Sequence, residues 1–372
     1  MNEDTYIGRL GLQQRVLPSY RAVFLDSLAE ACQGGMSVFA GLPLRIEGIV
    51  PVEQLEKARF VQAKNWQFRD PSSSLFLCWQ GGFIRWLEEW QPDALVVEAN
   101  PRYPVTRLAI RWMHQRKRPV IGWGLGAPPI RGKFSRFRRW ERLSLLRSFD
   151  AIIAYSRRGA EQYLRLGLSA QCIFVASNAV DPAPSSPPLQ RESVFVGQLT
   201  LLFVGRLQAR KRLDMLLYAC AELPTGLRPH LIIVGDGPAR EEFEALARQI
   251  YPEAEFVGAK HESELDPYFA QADLFILPGT GGLAIQQAMA HALPVIVAHG
   301  DGTQDDLVRP ENGWQISPDD QKALTDALRQ ALSDPAQLRR MGEASYRIVA
   351  KEINVETMVG VFISALNSLK RV

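Results

Sequence analysis

The sequence predicts an α/β protein with two domains. Its 372 residues are too many for one ordinary hydrophobic core and suit two. In the second half, short apolar runs alternate with segments of helical spacing, which is typical of βαβ units around a parallel sheet. Near the middle, the stretch DPAPSSPPLQRES from Asp181 to Ser193 contains four prolines and three serines, so it predicts an interdomain linker.

The first half predicts an α/β domain with a less regular pattern. We predict strands at the apolar segments GRLGLQQRVL, MSVFAG, ALVVEAN, RPVIGWG and AIIAYS. We predict helices at YRAVFLDSLAEACQ, GGFIRWLEEWQ and TRLAIRWMHQRKR.

The second half predicts a regular alternation of strands and helices. The strands are predicted at LTLLFVG, HLIIVG, AEFVG, DLFILP and LPVIVA, whose nearly continuous apolar character favours burial on both faces. The helices are predicted at RLDMLLYACAEL, PAREEFEALARQI, ESELDPYFAQA and LAIQQAMAHA, and then at roughly 318–332, 335–351 and 354–369.

The composition favours a globular protein of the cytoplasm. Hydrophobic residues make up 47% of the chain and charged residues 22%. No apolar run approaches the roughly 18 residues of a membrane span, and the acidic start MNEDTYIGRL is unlike a secretory signal. The four cysteines are scattered and the histidines lack metal-ligand spacing, so we expect neither disulfides nor a metal, and no cofactor.

The net charge of +3 hides a strongly basic segment. Between Arg102 and Arg147 there are thirteen Lys or Arg and one acid, Glu141. These charges suit either solvated helix faces or a surface for an anionic partner. Aromatic residues lie among them in GKFSRFRRWERLSLL, so Arg131–Arg142 could form an amphipathic helix on an anionic membrane. Nucleic acid is the weaker alternative, because no zinc-finger spacing or RNP-type motif is present.

The loops of interest in the second half all follow predicted strands. The carboxyl ends of parallel strands meet at one edge of a sheet, where ligands of open α/β folds bind. We therefore expect the following loops to converge on one cleft: Gly205–Lys211, Gly235–Pro238, Gly258–His261 and Pro278–Gly282.

Two of these loops carry groups that suit a diphosphate. Arg206 follows a strand and Lys211 stands at a helix start, where two cations could meet an anion; the alternative is a surface basic cluster. The glycine-rich loop Pro278–Gly282 could present backbone N–H groups to phosphate or sugar oxygens. Close packing of helix on strand explains its glycines equally well.

Further candidates are less specific. His299, in VAHGDGTQDD, follows a predicted strand and could face the cleft. Gly124 and Gly126 belong to a second glycine-rich loop, GWGLG, in the first half. This loop is not a dinucleotide fingerprint, because the acidic residue expected some 20 positions later is missing.

Several stretches together resemble one enzyme family. These stretches span roughly Phe149 to Val372 and are FDAIIAYSRRGAEQYLRLG, FVASNAVD, FVGRLQARKRLDMLLYA, LIIVGDGP, EFVGAKHESEL, QADLFILPGTGGLAIQQAMAHALPVIV and ENGWQI. With them, the second half resembles the donor domain of the retaining family-4 glycosyltransferases, which have the GT-B fold of two Rossmann-like domains facing across a cleft.

The resemblance implies a hexosyltransferase that moves a sugar from a nucleotide diphosphate to a polysaccharide or lipid-linked acceptor, with retention of configuration. It implies that Arg206 and Lys211, in the loop that begins at Gly205, neutralise the diphosphate. It also implies that Gly282 and Leu283 offer backbone N–H groups to phosphate, and that the stretch around Gly258 holds the base.

The chain departs from the family pattern at two glutamates. The family usually has two, separated by seven residues, and this sequence has Gly279 and Gln287 there. We therefore expect a sugar hydroxyl to be met by backbone N–H groups of Thr280, Gly281 and Gly282, by water, or by the first domain. Gln287 is expected to hold the ribose, because its amide offers one carbonyl acceptor and an NH₂ donor.

The first half also departs from the family. The glycine pair after the first strand is replaced by RVLPSYR, which offers Ser19 and Arg21. The usual histidine of this domain cannot be placed, and GWGLG occupies its loop.

The composition of the linker sets the domain boundaries, and the resemblance implies that the last helix crosses back to the first domain. Residues 1–181 form the acceptor-side domain, to which 354–372 cross back; 182–193 are the linker and 194–353 the donor-binding domain. We expect a nucleotide sugar and a saccharide or lipid-linked acceptor as partners, with peripheral attachment to the inner face of a membrane. The absence of both glutamates motivates the alternative of a non-catalytic GT-B module that binds a nucleotide sugar or a partner enzyme.

Overall fold

The chain divides into two compact units. The computed structural model describes residues 5–369 apart from 48, 72, 74, 131, 133, 189–190, 192–196, 261, 282 and 301. Unit 1 comprises Met1–Pro182 and Val355–Val372, and unit 2 comprises Ala183–Asn354.

Unit 1 is built on one large sheet. Its described residues form eight strands: β1 Leu10–Val16, β2 Met36–Gly41, β3 Arg59–Phe68, β4 Leu77–Gly81, β5 Ala94–Glu98, β6 Val120–Gly124, β7 Ala151–Ala154 and β8 Ile173–Val175. Their order is β4-β3-β2-β1-β5-β6-β7-β8, and all neighbours are parallel except the β3–β4 hairpin. The five strands predicted in this half are confirmed, whereas β3, β4 and β8 were not predicted.

Five helices of unit 1 precede the linker in the described part of the chain. They are α1 Ala22–Glu30, α2 Phe83–Trp90, α3 Val105–His114, α4 Ser135–Leu146 and α5 Arg157–Arg165. The three helices predicted from periodicity correspond to α1, α2 and α3. Of the segment Arg131–Arg142 that was expected to be helical, Ser135–Arg142 belong to α4, and Arg131 lies outside the described residues.

Unit 2 has a smaller and wholly parallel sheet. Its described strands are β9 Thr200–Val204, β10 His230–Val234, β11 Glu255–Gly258, β12 Leu274–Leu277, β13 Val295–Ala298 and β14 Gly313–Ile316. They lie in the order β11-β10-β9-β12-β13-β14. Because every strand runs the same way, all strand-to-helix loops of unit 2 lie at one edge of the sheet.

The helices of unit 2 follow its strands as predicted. Within the described residues they are α6 Leu213–Ala221, α7 Arg240–Ile250, α8 Asp266–Gln271, α9 Leu283–Ala290, α10 Thr303–Leu307, α11 Gln321–Ser333 and α12 Pro335–Lys351. Of these, α10 was not predicted, and neither was β14. Leu201, Leu202 and Phe203 of the central β9 are fully buried, as expected for a strand covered on both faces.

The last helix returns to unit 1. This helix, α13 Val355–Ser368, packs against α1. The fully buried ring of Phe362 lies 5.1 Å from the ring centre of Phe24 and 5.1 Å from that of Trp123. A C-terminal segment therefore completes the core of the first unit.

One residue of the predicted linker is built into unit 2. Arg191 donates hydrogen bonds to the backbone oxygens of Phe269 and Ala272 at the end of α8, and to those of His291 and Ala292 just after α9. Burial lowers the pKa of its guanidinium to about 10. One cation thus satisfies carbonyls that two helices leave unpaired at their ends.

Candidate functional site

Three loops interlock at the carboxyl edge of the unit 2 sheet. The N–H of Leu207, after β9, donates to the Asp236 oxygen, after β10, at 2.9 Å. The N–H of Ala239 returns a bond to Leu207, and the N–H of Thr280, after β12, donates to the Arg210 oxygen at 3.1 Å. The loop after β9 is therefore fixed from both sides.

Lys211 is the buried cation of this edge. The sequence suggested that Lys211 opens a helix, but it ends the short 3₁₀ turn Ala209–Lys211, two residues before α6 begins. Its side chain is 8% exposed. It forms no ion pair with a described carboxylate. Burial, together with the neighbouring charge of Arg210, lowers the pKa of its ammonium to about 8.

Two cations converge on Gly281. A Cβ atom at this residue would lie 3.0 Å from Lys211 Nζ and 3.6 Å from Arg210 Nη1, and its φ of +89° favours glycine. The Arg210 guanidinium also lies 3.3 Å from Thr280 Oγ1. The glycine leaves the ammonium open from the side on which a residue with a side chain would cover it.

The other arginines of this loop differ in their surroundings. Arg212 pairs with Asp214 and Asp319, so its charge is neutralised within the protein. Arg206 follows β9, as predicted, and its side chain is exposed. The alternative of a surface basic cluster therefore fits the exposed Arg206, but neither the paired Arg212 nor the buried Lys211.

Gly279 is fixed by close packing. A Cβ atom there would overlap the backbone carbonyl of Arg210 and the backbone of Lys211. No side chain, and in particular no glutamate, fits at this position without moving the loop that carries Lys211. Gly279 is thus explained by steric packing, although the contact is with the 3₁₀ turn Ala209–Lys211 and not of a helix on a strand.

The expectation for the backbone of Thr280 is wrong. Its N–H already donates to Arg210, so it is not available to a sugar hydroxyl. Gly282 lies outside the described residues. Leu283 is the first residue of α9, and its side chain is largely exposed.

Two adjacent glutamines of α9 have different environments. Gln286 is buried, and its Nε2 donates to the Ile353 oxygen at 3.0 Å, which is a structural contact. Gln287 is half-buried one position further along. The ribose role of Gln287 stays a prediction.

The two remaining candidates of unit 2 lie in loops of the same edge. Gly258 ends β11 with a φ of +86°, and its oxygen accepts from the Gly235 N–H at 2.8 Å. His299 follows β13, is exposed, and has Nδ1 3.3 Å from Asp305. His261, which closes the predicted loop after β11, lies outside the described residues.

Unit 1 has a cavity of about 770 Å³ at its own carboxyl edge. Gly124 and Gly126 line it, as do Trp123 and Tyr155. The N–H of Gly126 donates to the Tyr163 hydroxyl at 3.0 Å. The glycine-rich loop GWGLG is thus part of the cavity wall.

Arg21 lies behind this wall. It is 5% exposed, and its guanidinium carbon is 4.8 Å from the ring centre of Trp123 and 5.3 Å from that of Tyr155. Such contacts stabilise a cation between aromatic faces. Ser19 is exposed, and its N–H donates to the Val50 oxygen.

Sequence reasoning missed Glu98, which lines the same cavity. Burial raises the pKa of its carboxyl, opposed by a hydrogen bond from the Arg15 N–H at 2.9 Å. Its position directly at the end of the apolar run ALVVE was the available signal, because side chains at strand ends reach the binding edge.

The described residues contain neither a membrane-spanning helix nor a group of metal ligands. None of the helices there has both the length and the apolar character that crossing a bilayer requires. In the same residues, no three His, Cys, Asp or Glu side chains are grouped so that they could hold a metal ion.

The chain matches two family descriptions. Residues 48–184 match "Glycosyltransferase Family 4" and residues 189–348 match "Glycosyl transferases group 1". Together these segments cover well over half of the chain.

Individual relatives share about 30% of their residues with this chain over part of its length. A GDP-mannose-dependent alpha-mannosyltransferase of Mycobacterium tuberculosis is 31% identical over 55% of this chain and 53% of the relative. Sulfoquinovosyl transferase of Arabidopsis thaliana is 29% identical over 39% of this chain and 29% of its own length. The chain spans about half the length, or less, of the curated relatives it matches first.

A solved structure covers almost the whole chain. The Anabaena protein HepE in complex with UDP superimposes with a TM-score of 0.70 and 16% identity, over 97% of this chain and 100% of that one. The predicted architecture of two Rossmann-like domains is confirmed by this likeness and by the two sheets. The chain belongs to the family-4 glycosyltransferases and has their GT-B fold.

Proposed function

We propose that the protein transfers a hexose from a nucleoside diphosphate to the hydroxyl of a saccharide or lipid-linked acceptor, with retention of anomeric configuration. One observation carries the donor site. Lys211 is a buried ammonium, without an ion pair to a described carboxylate, that converges with Arg210 on Gly281. A diphosphate at that point would supply the missing negative charge.

The same cations serve the chemistry of transfer. The bond from the sugar C1 to the diphosphate breaks while the acceptor oxygen bonds to C1, so negative charge develops on the leaving phosphate, which takes up the proton that the acceptor hydroxyl loses. Lys211, Arg210 and Arg206 would stabilise that charge, and a preformed cationic site needs little reorganisation during the reaction. Retention rests on the family resemblance.

The departures from the glutamate pattern alter the donor contacts more than the leaving-group site. Gly279 excludes a side chain because of its packing, so water or other backbone groups would meet the sugar hydroxyl. Gln287 would hold the ribose through a neutral amide. We propose no metal or cofactor in this mechanism.

A non-catalytic module that binds nucleotide sugars is the second candidate. The observation that favours it is the packing of Gly279, which leaves no room for the first glutamate of the family pattern. Turnover separates the two candidates, because both bind nucleotide and one releases it from a sugar donor.

The test uses the purified full chain. UDP, GDP and a panel of their sugars are screened for an increase in melting temperature, since a ligand that binds the native state alone must stabilise it. We then expect slow release of nucleoside diphosphate from the sugar that stabilises most. Stabilisation without any release, with or without acceptors, supports the module; no stabilisation by any nucleotide contradicts both candidates.

Gln287→Ala tests the ribose contact. We expect it to weaken nucleoside diphosphate binding by about 0.5–1.5 kcal/mol, the range for a neutral hydrogen bond, in a calorimetric titration. Gln286→Ala is the matched control, because its amide faces Ile353, and it should lower the melting temperature instead. Wild-type affinity in Gln287→Ala would mean that the ribose lies elsewhere.

A further inference from the structure

The cavity of unit 1 has one apolar side. The β3–β4 hairpin contributes Leu75, Phe76 and Leu77, and the start of α4 contributes Phe134 and Phe137. The last two are 63% and 62% exposed, although each is large and aromatic. A saccharide alone gives no reason for this much uncovered hydrocarbon at the mouth of a cavity.

The cavity also has a cationic side. Arg102, Arg138 and Arg142 line it, and none forms an ion pair with a described carboxylate. Burial lowers the pKa of Arg142, and the charges of Arg138 and Arg102 add to the effect. The lining carboxylates Glu98 and Glu141 do not pair with these three guanidinium groups. Like charges gathered in this way favour an anionic ligand.

The helix that forms this wall is poorly covered by the protein. In α4, Leu145 and Leu146 are buried, while Trp140 is 65% exposed and its ring lies 6.0 Å from that of Phe137. Arginines lie between these rings along the helix. Exposed aromatic side chains interleaved with arginine are typical of a helix lying in a membrane interface.

Unit 1 differs from unit 2 in its surface. Sixteen exposed large hydrophobic side chains belong to the described part of unit 1, and two, Tyr218 and Leu283, belong to that of unit 2. The excess is therefore a property of one unit and not of the chain. Five of the sixteen line the cavity, which favours hydrocarbon at that place: Leu75, Leu77, Leu125, Phe134 and Phe137.

We propose that the cavity of unit 1 binds the phosphate and the adjoining hydrocarbon of a membrane lipid, presented by a bilayer on which α4 lies. The phosphate contacts Arg102, Arg138 and Arg142, and the hydrocarbon follows Phe134 and Phe137. The volume of the cavity is within the range of small-molecule sites. That the lipid is the sugar acceptor rests on the proposed function; that it binds does not.

The test separates the two halves of the ligand. Farnesyl phosphate, farnesol, inorganic phosphate and glucose 6-phosphate are titrated into the full chain, with calorimetric heat as the readout. We expect farnesyl phosphate to bind at least tenfold more tightly than each of the others. Equal binding of farnesol, or tighter binding of either soluble phosphate, overturns the proposal.

Two variants locate the site. Arg138→Gln should weaken farnesyl phosphate at least tenfold and leave farnesol unchanged, and Phe137→Ser should weaken both. Arg111→Gln and Leu164→Ser make the same changes at exposed positions of unit 1 outside the cavity and should change neither. Unchanged farnesyl phosphate binding in both cavity variants overturns the assignment.

The bilayer is tested separately with vesicles. The chain should sediment with phosphatidylglycerol vesicles and less with phosphatidylcholine, and added salt should release it because the Debye length shortens. Trp140→Ser should weaken this binding severalfold, and Leu164→Ser should not. Equal binding to both lipids, or no loss in Trp140→Ser, contradicts the role of α4.

The outcomes also distinguish this inference from the proposed function. Farnesyl phosphate binding without nucleotide-sugar turnover supports the cavity and contradicts the transferase. Turnover onto a soluble saccharide, with no farnesyl phosphate binding, supports the transferase and overturns the cavity proposal.

Discussion

Lys211 keeps a charge where the protein offers no carboxylate to pair with it. Desolvation and Arg210 both disfavour the ammonium, which is why its pKa is lowered to about 8. A residue that costs stability in this way is best explained by a ligand that pairs with it. The cost to stability and the gain in ligand affinity can each be measured.

Lys211→Met removes the buried charge at nearly constant volume. We expect the free energy of unfolding at pH 7 to rise by about 1–3 kcal/mol, from the size of the pKa shift, and nucleoside diphosphate binding to fall at least tenfold. Denaturant unfolding and calorimetry measure the two effects. Lys322→Met, at an exposed lysine of the same unit, should change neither. A variant less stable than wild type would mean that Lys211 has structural partners.

The pH dependence of nucleotide binding follows from the same residue. Free Lys211 loses its proton near pH 8, and a bound diphosphate favours the protonated form, so affinity is full well below pH 8, is about half of that at pH 8 and falls further above it. We expect a loss of about fivefold between pH 8 and 9, which approaches tenfold per pH unit at higher pH, measured by calorimetry in wild type. Lys211→Met should have a flat profile in this interval. A flat wild-type profile would remove Lys211 from the diphosphate site.

Gly279→Glu restores a residue of the family pattern and should not restore its role. Because a Cβ atom overlaps the Arg210 backbone, we expect stability to fall by at least about 1–3 kcal/mol and turnover not to rise. Gln287→Glu, at a half-buried position, should retain the melting temperature of wild type. Higher turnover in Gly279→Glu would show that the loop adapts to a side chain.

The loop of Lys211 could be predicted from the sequence, because its basic residues directly follow an apolar run that is typical of a strand. Sequence reasoning could not find that Lys211 is buried while Arg212 is paired, since Asp319 lies more than a hundred residues away. Nor could it find that the Thr280 N–H is already engaged. Such contacts depend on which loops touch, and periodicity says nothing about that.

At the scale of elements, the strands that periodicity predicted lie inside their sheets, with β11 the exception at an edge. The missed strands β4, β8 and β14 lie at edges, and β3 is next to one. Strands at or near an edge are often short or alternate polar and apolar residues. β3 is next to the edge strand β4, and most residues of its sequence RFVQAKNWQF are exposed or half-buried. Without a continuous apolar run, a sequence of this kind resembles a loop.

Arg191 should stabilise unit 2 through the ends of α8 and α9. Arg191→Gln keeps some hydrogen bonding but removes the charge and the several N–H donors of the guanidinium. We therefore expect the free energy of unfolding of unit 2 to fall by about 1.5–3 kcal/mol, the range for hydrogen bonds to charged groups. Hydrogen exchange of amides in α8 and α9 reports it locally. Arg248→Gln, exposed on α7, is the control. Unchanged exchange would mean that water replaces the guanidinium without loss.

At the scale of the whole molecule, α13 connects the stability of unit 1 to the end of the sequence. Phe362→Ala should destabilise unit 1 by about 3–5 kcal/mol, because a fully buried ring is lost. Tryptophan fluorescence follows this unit, since seven of the eight tryptophans belong to it. Leu108→Ala, exposed on α3, should leave the transition in place. An unshifted transition in Phe362→Ala would mean that α13 is dispensable.

The two-part composition of unit 1 has a consequence for biosynthesis. Chains generally acquire structure in the order in which they emerge from the ribosome. Residues 1–182 emerge first, but the core of unit 1 is complete only when α13 has emerged as well. All strands of unit 2 lie between these two segments and emerge before α13. During that interval Phe24 and Trp123 lack the ring of Phe362 that covers them in the finished protein. We therefore expect unit 2 to complete its fold before unit 1, and the rings of Phe24 and Trp123 to stay uncovered on the side of Phe362 until α13 has emerged.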